Sequence, residues 1–317
     1  MTKSLEKHMK LNYGRCLSII TLPFLLIIST TLFAISINLN STSEGGNSAF
    51  SGELMDSSCS DTGVVMFHGR GSSPTGPIVM ELSSSLNRAG YTTLSIDNPL
   101  PLNQQVDFNS YVYDINTDNY VFPESYARMR SAINYLQSLG VKKIVIAGFS
   151  LGSRLSTAHV ARGQIDELPV IGLIGIGMYG TSIDPLNISF TLDEVNIPVL
   201  DLYGDADTNA VNTASSRLAA YNTGTGVSYI QSIIACINGL NCHQLEGNKG
   251  DDSKKFEIAI NSWMQSFAPA SVITSCDQTV TETTNRVSGG SLSLVFIGLL
   301  IIITALRLHK KIIKMHV

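Results

Sequence analysis

Short apolar runs without helical spacing alternate with amphipathic segments through the middle of the chain. Residues 63–67, 91–96, 144–147, 170–177, 199–203 and 227–235 are rich in β-branched side chains and nearly continuous in apolar character. That is the pattern of strands buried on both faces. Between them, 78–89 sets Ile78, Leu82 and Leu86 on one helical face, with Gly90 placed as a C-cap. A second helix is predicted over 123–139, with Pro123 in its first turn, an apolar stripe of Tyr126, Met129, Ile133 and Leu136, and Gly140 at its end. Further helices are predicted after Ser150, over 211–221, and over 256–267 with Ile260 and Trp263 on the packed side. This alternation predicts an α/β fold: a mostly parallel sheet flanked by helices on both faces. Ligands of such sheets bind at the carboxyl ends of the strands. The turn after Phe67, the turn after Ala147 and the loop after Tyr203 all fall on that edge. The polar stretch 97–120 reads as a loop of the length that is usually functional or mobile.

Only 15% of the residues are charged, and the excess apolarity is localised at the two ends. Residues 17–37 carry no charge and are long enough, at about 20 residues, to span a bilayer. Residues 292–306 form a second, shorter uncharged run. Lys3, Lys7, Lys10 and Arg15 precede the first run; Arg307, Lys310, Lys311 and Lys314 follow the second. The positive-inside rule then puts both tails in the cytoplasm and everything between them on the other side. The expected order is a basic tail (1–15), a membrane anchor or cleaved signal sequence (16–38), a linker rich in Asn, Ser and Thr (39–51) and a globular domain (52–270). A second linker (271–290), a membrane helix (291–306) and a basic tail (307–317) follow. The tails hold eight of the 21 basic residues and one of the 25 acidic ones, which leaves 13 basic and 24 acidic groups between them. That balance offers no basic face for nucleic acid.

Cys16 lies at the edge of the first run, and Cys59, Cys236, Cys242 and Cys276 fall in the segment expected outside the cytoplasm. Four cysteines in an oxidising compartment suggest two disulfides, with three connectivities open. A Cys236–Cys242 bridge would close a small loop, and Cys59–Cys276 would tie the ends of the globular region together. No His/Cys cluster has metal-ligand spacing, so no metal site is expected.

The chemistry centres on Gly148-Phe149-Ser150-Leu151-Gly152, a G-x-S-x-G between a predicted strand and a predicted helix. This is the setting of a nucleophile elbow, where flanking glycines let helix and strand pack closely around a strained serine. His68-Gly69-Arg70-Gly71 ends the first strand, and Gly204-Asp205-Ala206-Asp207 follows the strand at 199–203. Apart from the termini the only histidines are His68, His159 and His243, and His243 lies between the last strand and the last helix.

Taken together, residues 63–268 resemble an α/β-hydrolase, close to small, poorly characterised bacterial serine hydrolases. The resemblance implies Ser150 as nucleophile, His243 as base and Asp207 as its partner, in the family's chain order. Asp205 competes with Asp207 for that last role. It also implies an oxyanion hole made by the backbone N–H groups of Arg70 and Leu151, supported by His68, Gly69, Gly71, Gly148 and Gly152. His68 reads as a buried histidine bracing its turn. The segment 178–197 is too short for a helical cap domain, which implies an open cleft. The C-terminal end is in turn similar to bacterial sorting tails of the Gly-Gly type, with Ser288-Gly289-Gly290-Ser291 before the apolar run. That resemblance implies intramembrane cleavage and export to the surface; a plain anchor is the alternative.

The expectation is therefore a membrane-tethered, extracytoplasmic serine hydrolase, an esterase needing no cofactor and no metal. Its partners would be a small-molecule or lipid-like ester and the membrane, with no nucleic acid. An acyltransferase or peptidase could use the same three residues, and a silent binding module could use the same fold.

Overall fold

The computed structural model describes residues 34–271, apart from 44–45, 58–59, 100–120, 163–164, 166–167, 181–185, 223–226, 237–241 and 246–252. One sheet of eight strands, in the order β1-β2-β4-β3-β5-β6-β7-β8, organises them. The strands are β1 (Ile35–Ser43), β2 (Gly46–Met55), β3 (Thr62–Phe67), β4 (Thr92–Ile96), β5 (Lys143–Phe149), β6 (Val170–Ile176), β7 (Val199–Gly204) and β8 (Tyr229–Ile234). The pairs β1/β2 and β2/β4 are antiparallel, and the other five are parallel. The six predicted strands and their parallel arrangement are present.

Helices cover both faces, as the apolar runs require. Side chains alternate along each strand, so Val65, Phe67, Ile144 and Ile146 join one core while Val64, Met66, Val145 and Ala147 join the other. The first core is closed by α2 (Val121–Ser138), α3 (Leu151–Arg162) and α5 (Thr208–Asn222). The second is closed by α1 (Pro77–Arg88), which Pro77 opens, and by α6 (Ser253–Phe267). The predicted stripes pack inward: Ile78, Leu82 and Leu86 on α1, Met129, Ile133 and Leu136 on α2, Ile260 and Trp263 on α6. Each such side chain contributes about 1.5–3 kcal/mol when fully buried. Between β6 and β7 the described residues form only α4 (Ile188–Thr191) and a 3-10 turn at Leu192–Glu194.

One expectation fails. Residues 39–51 are no linker: β1 and β2 form a hairpin that extends the sheet, so the globular domain begins at least by Ile35. The last residues of the expected anchor or signal segment, 35–38, belong to β1 and not to a membrane segment. The polar composition misleads because the hairpin buries only one face. Leu39, Phe50 and Leu54 enter the core, with Leu39 opposite Phe50, while alternate Asn and Ser positions face solvent. The buried Ser41 hydroxyl donates to Glu124 on α2 at 2.6 Å, which ties the hairpin to a helix. Among the described residues no helix is long and apolar enough to cross a membrane. Residues 17–33, the run at 292–306, Cys59, Cys276 and the loop 100–120 lie outside the described residues.

Candidate active site

Ser150 sits between β5 and α3 with φ of +54°, in the left-handed region that a non-glycine residue adopts only under constraint. Three contacts impose it. The Ser150 N–H donates to Ile176 O at 2.8 Å, anchoring the turn to β6. A Cβ on Gly148 would overlap the backbone of Gly152, and a Cβ on Gly152 would overlap the carbonyl groups of Phe67 and His68. The two glycines of the motif thus let α3 start directly against the ends of β5 and β3.

The turn after β3 closes on the same point. Ser72 N donates to Gly69 O at 3.2 Å, with Arg70 and the positive-φ Gly71 (+66°) between them. A Cβ on Gly69 would stand 3.3 Å from Cβ of Ser150, which measures how close this turn runs. His68 is fully buried behind it. Its Nδ1 lies 2.8 Å from Gly69 O, its Nε2 accepts from the Asn98 N–H at 3.1 Å, and Asn98 Nδ2 donates to His68 O at 2.6 Å. Those partners assign the proton to Nδ1 and occupy both nitrogens. His68 braces the turn and is not placed to move protons. Leu151 is the first residue of α3, so its N–H belongs to the helical turn that has no carbonyl of its own to meet.

Asp207 ends the β7 turn as the N-cap of α5. Its carbonyl accepts from Val211 N at 2.8 Å and its Oδ1 from Ala210 N at 3.4 Å. The other carboxylate oxygen, Oδ2, lies 2.6 Å from Nδ1 of His243. His243 is held in a 3-10 turn, Cys242–Gln244. Its Nε2 lies 2.8 Å from Oγ of Ser150. Because a carboxylate can only accept, the imidazole carries its proton on Nδ1 and turns the lone pair of Nε2 toward the serine hydroxyl. Asp207 is 5% exposed and Ser150 9%, whereas the His243 side chain is 30% exposed, so the acid is shielded and the imidazole edge is reachable.

Asp205 faces elsewhere. Its Oδ1 accepts from Cys236 N at 3.0 Å, and Cys236 is joined to Cys242 in a disulfide with the Cα atoms 5.6 Å apart. Ala206 N donates to Cys242 Sγ at 3.2 Å. The bridge therefore docks the histidine turn onto the turn that carries the acid. The one His/Cys/Asp/Glu grouping among the described residues tight enough for a metal is Asp205, Cys236 and Cys242, and its sulfurs are bonded to each other.

Neither a protein-family model nor a curated protein matches the chain. Solved structures do. A dienelactone hydrolase from Anabaena variabilis superposes with a TM-score of 0.51 at 20% identity, over 74% of this chain and 98% of that one. An esterase from Pyrococcus furiosus gives 0.53 at 12% identity, over 74% and 91%. A protein of unknown function from Agrobacterium tumefaciens, described as a putative α/β hydrolase, gives 0.52 at 17% identity, over 75% and 100%. The chain has the α/β-hydrolase fold.

Three neighbours of the site carry no family motif and escape a reading of the sequence. Gly177, just past β6, has φ of +60°, and a Cβ there would stand 3.0 Å from Cε1 of His243. Tyr179 presents its ring edge-on to His243 at 6.1 Å, while Phe149 lies 5.2 Å from the imidazole. Arg154, one turn into α3 and buried, stacks on Tyr179 at 4.4 Å and donates to its hydroxyl at 3.1 Å. Burial, then the nearby Arg70 charge, lowers the Arg154 guanidinium to about 10 even against the favourable Tyr179 contact. No local pattern singles out any of the three, because each acts through a contact between separate elements.

Proposed function

We propose that this chain is a serine hydrolase acting on carboxylic esters through an acyl-enzyme on Ser150. The observation that carries the reading is the unbroken path from Asp207 Oδ2 to His243 Nδ1 (2.6 Å) and from His243 Nε2 to Ser150 Oγ (2.8 Å). As Oγ attacks the ester carbonyl, His243 takes its proton, and Asp207 offsets the imidazolium charge. The tetrahedral oxyanion is received by the N–H groups of Leu151 and Arg70, a pair whose members are each worth on the order of 10²–10³ in turnover. The imidazolium then protonates the leaving alkoxide, which departs. Water repeats the sequence, giving its proton to His243, releasing the acid and restoring Ser150 Oγ–H. No step calls for a cofactor. The esterases and hydrolases among the structural neighbours support the ester as substrate class.

The enzyme is proposed to work outside the cytoplasm, tethered by its apolar ends. The two uncharged runs with basic flanks support the tether. The Cys236–Cys242 bridge supports an oxidising compartment.

A fluorophosphonate probe tests the reading on the full chain. Wild type becomes covalently labelled and Ser150→Ala does not. Folded wild type that stays unlabelled would sink the enzyme and leave a binding module. Protease cleavage of the globular domain on intact cells supports the topology, and full protection there overturns it.

A further inference from the structure

The fold contains a second charged pair that the proposed chemistry does not use. Asp201 in the middle of β7 and Arg217 in α5 are both fully buried and joined Nε to Oδ2 at 2.8 Å. The same Oδ2 accepts from Tyr229 Oη at 2.7 Å and from Gln231 Nε2 at 3.0 Å, both on β8. Arg217 runs back along its own helix, where Nη1 donates to Ala210 O at 2.8 Å and to Thr213 Oγ1 at 2.7 Å. Its guanidinium also lies 5.1 Å from the Tyr203 ring centre. Gln231 Nε2 reaches Ala214 O at 2.9 Å. Two strands thus grip the opening turns of α5 at residues 210, 213 and 214.

That grip ends on the acid. Ala210 gives its carbonyl to Arg217 and its N–H to Asp207 Oδ1 at 3.4 Å, while the other oxygen of Asp207 meets His243. A buried ion pair adds little stability over well-packed apolar residues, because desolvation of both charges offsets their attraction. What such a pair does supply is a fixed geometry, since every bond in it is directional. Burial disfavours the Arg217 charge, but Asp201 beside it outweighs that and holds the guanidinium protonated.

We propose that Asp201 and Arg217 are positioning residues that fix the first turn of α5, and so aim the Asp207 carboxylate at His243. The inference rests on the serine-hydrolase reading for its effect on rate, though not for its effect on the imidazole. If Ala210 drifts, Asp207 loses its cap bond and the His243 Nδ1–H loses its acceptor.

The test uses the full chain as wild type, as Arg217→Met, and as the doubly apolar Asp201→Leu/Arg217→Met. The last removes both charges and keeps a packed, folded helix. Three quantities are read: thermal stability, kcat and KM on an ester, and the downfield proton resonance of the Asp207–His243 hydrogen bond. The double variant should recover the stability lost in Arg217→Met. Its kcat should remain on the order of 10–100-fold below wild type, with KM unchanged and the downfield resonance weakened. A double variant with full kcat and an intact resonance overturns the proposal and leaves the pair a purely structural one. Failure of the enzyme reading looks different: wild type is then inactive, and the resonance alone decides whether the pair aims Asp207.

Discussion

Gly177 and His243 meet so closely that a single added carbon would crowd the ring: a Cβ on Gly177 would stand 3.0 Å from Cε1 and 3.1 Å from Nδ1 of the imidazole, so the ring would have to yield by a few tenths of an ångström. The same carbon would also sit 3.5 Å from Asp207 Oδ2. Gly177→Ala should therefore push the ring away from both partners. The positive φ adds a backbone cost of about 1–3 kcal/mol. Gly90, with φ of +95° just past α1, carries the backbone cost without touching the imidazole: a Cβ there would meet only the Cβ of Ala270, at 3.3 Å. Both alanine variants should melt earlier than wild type, and Gly177→Ala alone should also lose turnover, on the order of 10²-fold. Equal turnover per folded molecule in the two variants would show that the close approach has no catalytic weight.

Asp205 and Asp207 give a sharper contrast, because two carboxylates in one turn face different partners. Asp207→Asn keeps the shape but lets the amide offer a donor to Nδ1, which favours the wrong tautomer of His243. Turnover should fall on the order of 10⁴-fold, as when the acid of a serine triad is amidated. Asp205→Asn still offers an oxygen to the Cys236 N–H and should change turnover by less than about 3-fold. Steady-state kinetics on a chromogenic ester decides, and the reverse ranking would make Asp205 the acid.

The Cys236–Cys242 bridge joins the residue before His243 to the end of β8, and its sulfur receives the Ala206 N–H. Cutting it should loosen the histidine turn more than the sheet. A bridge closing so short a loop stabilises by about 2 kcal/mol in the chain-entropy account. Cys236→Ser, or reduction of wild type, should thus lower the melting temperature modestly. The larger expected effect is a fall in kcat with little change in KM, restored on reoxidation of wild type. Undiminished kcat after reduction, verified by thiol alkylation and mass, would remove the disulfide from the site.

Much of this site was legible because its residues occupy fixed slots in a strand–turn–helix grammar. A serine between glycines after an apolar strand, an H-G-x-G turn, and a histidine beyond the last strand each have a local pattern. Between Asp205 and Asp207 the G-x-x-D spacing from Gly204 favours Asp207 only through the family resemblance; the physical separation comes from α5 beginning at Thr208, three residues ahead of its apolar pattern, which makes Asp207 the cap. The β1–β2 hairpin was illegible because Ser and Asn alternate with few apolar residues, and only pairing with β4 turns them into a sheet. Asp201 and Arg217 are sixteen residues apart on different elements, so their contact exists only after the helix folds back on the strand. Gly177, Tyr179 and Arg154 act across such tertiary contacts as well, and no local pattern announces them.

His159 supplies a prediction about stability rather than turnover. It is fully buried in α3, its ring lies 5.5 Å from that of Tyr126, and among the described residues neither of its nitrogens has a hydrogen-bond partner. Burial, reinforced by the positive charge of Arg130, pushes the imidazole from its ordinary 6.5 down to about 3. In the unfolded chain the same group takes up a proton near 6.5, so between those values the unfolded state binds the extra proton. The neutral buried ring thus favours folding fully above pH 6.5, and that advantage drains away as the pH falls toward 3. The loss from this one group is about 1.4 kcal/mol per pH unit within the window. Urea unfolding of wild type and His159→Leu at pH 7, 6 and 5 isolates it, because other groups cancel in the difference. The leucine variant should match or exceed wild type at pH 7, having no unpaired polar atoms to bury. Its margin over wild type should widen at each lower pH, and a margin independent of pH would mean that His159 is protonated, or free to reach water, in the folded chain.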